Sequence, residues 1–109
     1  MPRLSTHVLD TSRGKPAAGM EVRLYRCHAE ARKLMTTAAT NADGRLVAAE
    51  DAAPGTYELV FTVGAYFGLP LEAAFLTDVV VRFQIAEGAG SYHVPLLVSP
   101  YGYTTYRGS

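Results

Sequence analysis

The chain contains a single cysteine, Cys27, in 109 residues, so no internal disulfide can staple it and nothing demands an oxidising compartment. Charge is scarce as well. Charged residues make up 18%, ten basic against ten acidic, for a formal net charge of zero. Without an excess of cations there is little to hold a phosphate backbone or an anionic bilayer, so neither nucleic acid nor membrane is expected as a partner. No apolar stretch approaches the ~20 residues of a spanning helix, and no charged-then-apolar leader precedes the first periodic segment. With Met1 as the start, these absences predict a cytoplasmic protein. Repeats, linkers and low-complexity segments are also missing, which predicts one domain over residues 1–109. There is no HExxH and no cysteine pair to suggest a metal site. Ser5, His7 and Asp10 lie close along the chain, but a Ser-His-Asp triad is defined by geometry, and no nucleophile elbow accompanies them.

What the sequence does have is alternation. Leu4 to Asp10 puts Leu4, Thr6 and Val8 on one face of a strand and Ser5, His7 and Leu9 on the other. Met20 to Cys27 alternates in the same way, with Val22 and Leu24 opposed to Glu21, Arg23 and Tyr25. A short polar turn over Cys27 to Arg32 leads to a third strand at Leu34 to Thr40. The Asn41-Ala42-Asp43-Gly44 turn delivers Arg45 and a short apolar run, and Pro54-Gly55 launches a strand with Tyr57, Leu59, Phe61 and Val63 inward. Asp78 to Ala86 turns Val79, Val81, Phe83 and Ile85 to one face. Tyr92 to Val98 and Tyr101 to Tyr106 complete the set. Only Gly64 to Thr77 lacks strand alternation, and it has room for a brief helix interrupted by Gly68 and Pro70. Seven or eight short, evenly spaced strands predict an antiparallel β-sandwich. With 49% hydrophobic residues and little charge, self-association is expected to cover part of its surface.

The polar residues are more informative at the end of the chain, where Tyr106, Arg107, Gly108 and Ser109 set a phenol, a guanidinium, a glycine and a hydroxyl beside a carboxylate. His93 faces away from Val94, Leu96 and Val98. A strand histidine so placed is more often solvated than functional, and His7 has the same ambiguity. His28, in the turn, is expected to be exposed, and a strand cysteine such as Cys27 is usually inert. Yet two strand imidazoles, an arginine just after a turn and a polar tail are the parts of a hydrolytic site. Imidazole can take a proton from water and return one near neutral pH, and a guanidinium offers a planar fork to oxygens without losing its charge. The tyrosines of the last strand suit an ordinary interface equally well.

Four segments taken together resemble the transthyretin-related 5-hydroxyisourate hydrolases: Ser5-Thr6-His7-Val8-Leu9-Asp10, Ala42-Asp43-Gly44-Arg45, Tyr92-His93-Val94-Pro95-Leu96-Leu97 with Ser99-Pro100, and Tyr106-Arg107-Gly108-Ser109. The last separates the hydrolases from the hormone-binding transthyretins. The resemblance implies an all-β, transthyretin-like sandwich of two four-stranded sheets with one short helix between Ala65 and Pro70. It implies a homotetramer, a dimer of dimers, with active sites in a channel at the dimer–dimer interface. It further implies His7, His93 and Ser109 as catalytic groups and His7, Arg45 and Tyr106 as substrate contacts, with Arg107 either lining the site with the rest of the tetrapeptide or anchoring the tail. No metal or organic cofactor is implied. Thr104 and the stretch from Gly68 to Asp78 depart from the family pattern without touching these positions. The expected reaction is hydrolysis of the six-membered-ring lactam of 5-hydroxyisourate. The alternatives are a carrier that binds a small aromatic ligand in the same channel, and an adhesive β-sandwich, which should bring a signal peptide, linkers or tandem repeats.

Overall fold

The computed structural model describes residues 2–108. In chain order the strands are β1 (Leu4–Asp10), β2 (Lys15–Pro16), β3 (Glu21–His28), β4 (Ala31–Ala39), β5 (Arg45–Ala49) and β6 (Gly55–Phe61). A short helix α1 (Val63–Tyr66) follows, then β7 (Val79–Ile85), β8 (Tyr92–His93), β9 (Leu96–Ser99) and β10 (Gly102–Thr105).

Two sheets face each other. One has four strands in the order β4-β3-β6-β7, each pair antiparallel. The other has six segments that occupy four positions. β1 pairs with β5 through Leu4 to His7 and with β2 through Leu9 and Asp10. β8 meets Leu4 and Ser5 while β9 meets Val8 to Asp10, so these two lie on the opposite edge of β1. β10 closes the row against β9. Pro95 stands between β8 and β9, where a residue without an N–H cannot continue the ladder. The expected architecture of two four-position sheets and one short helix is therefore observed.

Local differences have local causes. The pairing of β1 with β8 and β9 is parallel rather than antiparallel. Parallel neighbours need a long crossover, and here the rest of the domain supplies it. The β3–β4 ladder runs on to His28↔Ala31, so the turn shrinks to Ala29-Glu30 and β4 begins before Leu34. A two-residue hairpin needs positive φ, and Ala29 adopts φ 50° without being Gly or Asn, which hides the turn from sequence. The helix starts at Val63, ahead of the expected Ala65, because Gly64 N–H donates to Thr77 C=O and Phe67 N–H to Val63 C=O. The last strand is shorter than Tyr101 to Tyr106 at both ends.

The core lies between the sheets and follows the alternation. Leu4, Val8, Leu59, Phe61, Ile85 and Leu96 are fully buried. Burying each such side chain contributes roughly 1.5–3 kcal/mol. Threonines that fall on the inner faces are satisfied by backbone: Thr6 Oγ1 donates to Val94 C=O at 2.6 Å and Thr40 Oγ1 to Ala17 C=O at 2.6 Å.

Among the described residues Asp10 is the one fully buried charge, at the end of β1. Burial by itself would raise its pKa. Hydrogen bonds outweigh that and hold the carboxyl below its ordinary value: Ser12 donates through N–H and Oγ, Arg13 through N–H, and Tyr66 Oη at 3.0 Å. The last of these ties α1 to β1. A folded-state pKa below the unfolded one stabilises above the usual carboxylate value near ~3.9 and loses that stabilisation as pH falls through the folded value. Asp10→Asn is expected to cost about 1.5–3 kcal/mol at neutral pH. Its stability, followed by urea melts from pH 7 down to pH 2, should fall less steeply in acid than that of the wild type.

Gly44 ends the turn before β5 at φ +73°, and a Cβ there would lie 2.5 Å from the Val8 carbonyl oxygen. Gly44 C=O also accepts from Val8 N–H at 2.8 Å, so the turn is pressed onto β1. Gly44→Ala should lower unfolding free energy by about 2 kcal/mol or more, since left-handed geometry alone costs ~1–2 kcal/mol for a residue with a Cβ. A loss below 0.5 kcal/mol in the same melts would contradict this contact.

Candidate active site

The site is built on the face of β1 that the core does not use. Because side chains alternate, burying Leu4, Thr6 and Val8 turns Ser5 and His7 outward together. Antiparallel register places Arg45, the first residue of β5, beside His7. Parallel register on the other edge places His93 of β8 beside Ser5. Three strands that are distant in sequence thus carry Arg45, His7, Ser5 and His93 across one surface.

Arg45 is aimed by its turn. Asn41 Oδ1 accepts from Asp43 N–H and from Arg45 N–H, both at 2.9 Å, so the backbone leaving the turn is fixed where the guanidinium begins. A groove of about 750 Å³ opens over this face, lined by Ser5, Asn41, Arg45, Ser91 and His93 among others. That is in the range of small-molecule sites. His7 lies beside Arg45 without lining the groove.

His93 is held on several sides. Ser5 Oγ lies 2.9 Å from its Nδ1. Its backbone C=O accepts from Gly108 N–H at 2.7 Å, and the two residues form an antiparallel bridge. A Cβ on Gly108 would sit 2.7 Å from His93 Cδ2, so only glycine lets the tail lie this close to the ring. One residue earlier, the Arg107 guanidinium carbon stands 4.1 Å from the centre of the Tyr92 ring, a cation–π contact that pins the tail to β8. Partial burial, then the neighbouring Arg45 guanidinium and His7, push the His93 pKa below its ordinary value, while its contact with Ser5 acts in the opposite sense. The shift favours the neutral ring, the form able to accept a proton.

Of the residues singled out from sequence, the structure brings His7, Arg45 and His93 to one face, with Gly108 against His93. It does not bring Tyr106 there: that side chain is 56% exposed and is not part of the groove of a single chain. Ser109 lies outside the described residues. His28 is exposed, as expected, and Cys27 is buried. Ser5 as a partner of His93, and Asn41 as the brace of Arg45, were missed. The Asn41 brace follows a turn pattern readable in sequence, but the Ser5 contact joins strands 88 residues apart and has no local signal. Among the described residues no group of three metal-ligating side chains is close enough to hold an ion.

Comparison with known proteins bears on this geometry. A sequence model of the HIUase/Transthyretin family matches residues 4–108. The chain is 56% identical to a 5-hydroxyisourate hydrolase of Mesorhizobium japonicum, over 98% of this chain and 92% of the other. A solved structure of Klebsiella pneumoniae 5-hydroxyisourate hydrolase superposes with a TM-score of 0.82 at 38% identity, covering 100% of both chains. Sea bream transthyretin in complex with thyroxine superposes with a TM-score of 0.85 at 26% identity, over 96% of this chain and 93% of that one. The fold is common to both of these proteins, so the fold alone does not distinguish them. On the family match, the identities and the shared sandwich, this chain belongs to the HIUase/transthyretin family.

Proposed function

We propose that this chain is a 5-hydroxyisourate hydrolase acting as a single domain, and that His93 is the general base. The observation that carries the reading is the shared face of β1, β5 and β8, where a neutral imidazole and a guanidinium border one groove. Identity of 56% with a hydrolase over nearly the full length supports it.

The reaction opens the six-membered-ring lactam of 5-hydroxyisourate to give 2-oxo-4-hydroxy-4-carboxy-5-ureidoimidazoline. An amide carbonyl is a weak electrophile, so water must be deprotonated as it attacks and the developing oxyanion must be met by positive charge. His93 takes the proton, because burial and the neighbouring Arg45 charge favour its neutral ring. Arg45 stabilises the oxyanion, and His7 beside it binds the substrate and takes up the proton that the newly formed carboxylic acid releases. The proton on His93 passes to the departing ring nitrogen as the carbon–nitrogen bond breaks, and the imidazole is neutral again. No step is routed through a metal or an organic cofactor.

In this reading the protein works as a homotetramer, a dimer of dimers with the groove at the dimer–dimer interface. Tyr101, Tyr103 and Tyr106 are exposed on one chain at 76%, 47% and 56%, which suits burial between chains. Assembly is also how Tyr106 reaches substrate, and Ser109 completes the site by positioning water. We place the activity in the cytoplasm, since Cys27 is free and buried. No described helix is long and apolar enough to cross a membrane.

The deciding assay generates 5-hydroxyisourate from urate with urate oxidase and follows its ultraviolet decay. The wild type should accelerate decay, and His93→Ala and His7→Ala should each lower kcat by ~10²–10⁴-fold. Tight binding of a small aromatic ligand with no acceleration would favour the carrier reading. The acidic limb of kcat/KM should lie below pH ~6.5, the ordinary histidine value. Arg45→Gln removes a cation that lowers the His93 pKa, so the limb of its residual activity should move to higher pH. An unmoved limb would take the base assignment away from His93. Sedimentation velocity should report four chains per particle, and a stable monomer at micromolar concentration with full activity would exclude the interfacial site.

A further inference from the structure

Hydrolysis with His93 as base requires one ring nitrogen without a hydrogen, facing the groove, and imidazole in water exchanges its two neutral tautomers freely. Ser5 stands where that choice is made. Its Oγ is 2.9 Å from His93 Nδ1, and the parallel register Ser5↔His93 keeps the two side chains abreast on the same face. Among the described residues Nε2 has no partner, and both residues line the groove.

The ring has little freedom to escape this contact. The Gly108 backbone covers its Cδ2 edge so closely that a Cβ would come within 2.7 Å, while the Gly108 N–H bond to the His93 C=O fixes the backbone from which the ring projects. Turning the imidazole over would set carbon Cδ2 against Ser5 Oγ and forfeit the hydrogen bond. A hydroxyl can donate or accept, so the serine alone leaves the tautomer open. With Nδ1 taken up by Ser5, only Nε2 is left to act as base toward the groove, and a neutral ring with a bare Nε2 carries its proton on Nδ1, donated to Ser5 Oγ.

We propose that Ser5 is a positioning residue of the hydrolysis, holding His93 in the Nδ1–H tautomer so that the Nε2 lone pair faces the groove and takes the proton from water. This rests on the assignment of His93 as base. In the step itself one water O–H bond breaks, its proton goes to Nε2 and its oxygen bonds the lactam carbon. The imidazolium keeps Nδ1–H on Ser5. Nε2–H then goes to the ring nitrogen as the carbon–nitrogen bond breaks, and the single hydroxyl proton of Ser5 is not spent.

Long-range nitrogen–proton correlation spectra of the imidazoles, at a pH where His93 is neutral, read the tautomer in the intact protein. The wild type should show Nδ1–H at His93. Ser5→Ala should shift His93 toward Nε2–H and lower kcat about ten- to a hundredfold, the scale on which histidines lose function when an orienting partner is removed. KM should stay within about twofold, and Ser5→Thr, which keeps the hydroxyl, should restore both tautomer and kcat. An Nε2–H tautomer in the wild type would overturn the proposal, and that measurement stands even if Ser5→Ala fails to fold. So would unchanged kcat in Ser5→Ala, or a fall in kcat with the tautomer unmoved. If the wild type does not accelerate 5-hydroxyisourate decay at all, the hydrolase reading fails in that assay, separately from the spectra.

Discussion

The register of β1 is the constraint on which the rest depends. It is paired along both edges, antiparallel to β5 and β2 and parallel to β8 and β9. Its inner residues, Leu4, Thr6, Val8 and Asp10, are all buried. A slip of one residue would exchange the two faces, carrying His7 into the core and Val8 into water. The hydrophobic demand of the core therefore fixes which side chains reach the groove. The cost of losing Leu4 or Val8 from the interior is what keeps Ser5 and His7 on station.

A second restraint comes from the end of the chain. Gly108 bridges His93, and Arg107 lies over Tyr92, so the tail is a packed part of the site. Tyr92 is itself anchored, since its Oη accepts from Ala86 N–H at 3.1 Å. The family's terminal tetrapeptide thus has separable duties here. Arginine supplies the hold on β8, and glycine supplies an approach that any Cβ would block.

The charges around the groove act in one direction. Arg45, His7 and His93 crowd one face with no described carboxylate paired to Arg45, so protonating His93 there is unfavourable. On the reading proposed above, that suits a base that meets an oxygen-rich substrate. Asp10 is the opposite case, a buried carboxylate kept charged by donated hydrogen bonds, and it serves the fold by tying α1 to β1. The two groups show the same physics used once for chemistry and once for structure: burial disfavours charge, and the neighbours decide the outcome.

Alternation was enough to read the longer strands, the inward faces of β1, β3, β6, β7 and β9 and the outward placing of His7 and His93, because burial imposes a period of two wherever a strand covers a core. It did not show β2, and it ran β6 on to Val63, which belongs to α1. Turn chemistry at Asn41 to Gly44 located Arg45, and four segments of resemblance pointed to the family. The sequence did not disclose the two-residue turn at Ala29, which uses a residue with no preference for positive φ, nor the early start of α1, which depends on the Gly64–Thr77 hydrogen bond. Nor did it disclose Ser5 as the partner of His93. Which strand lies beside which, and at what register, is decided by packing between segments far apart in the chain, and only folding brings Ser5 to within 2.9 Å of His93. Local sequence determined which way each side chain points; the tertiary structure alone decided what it meets.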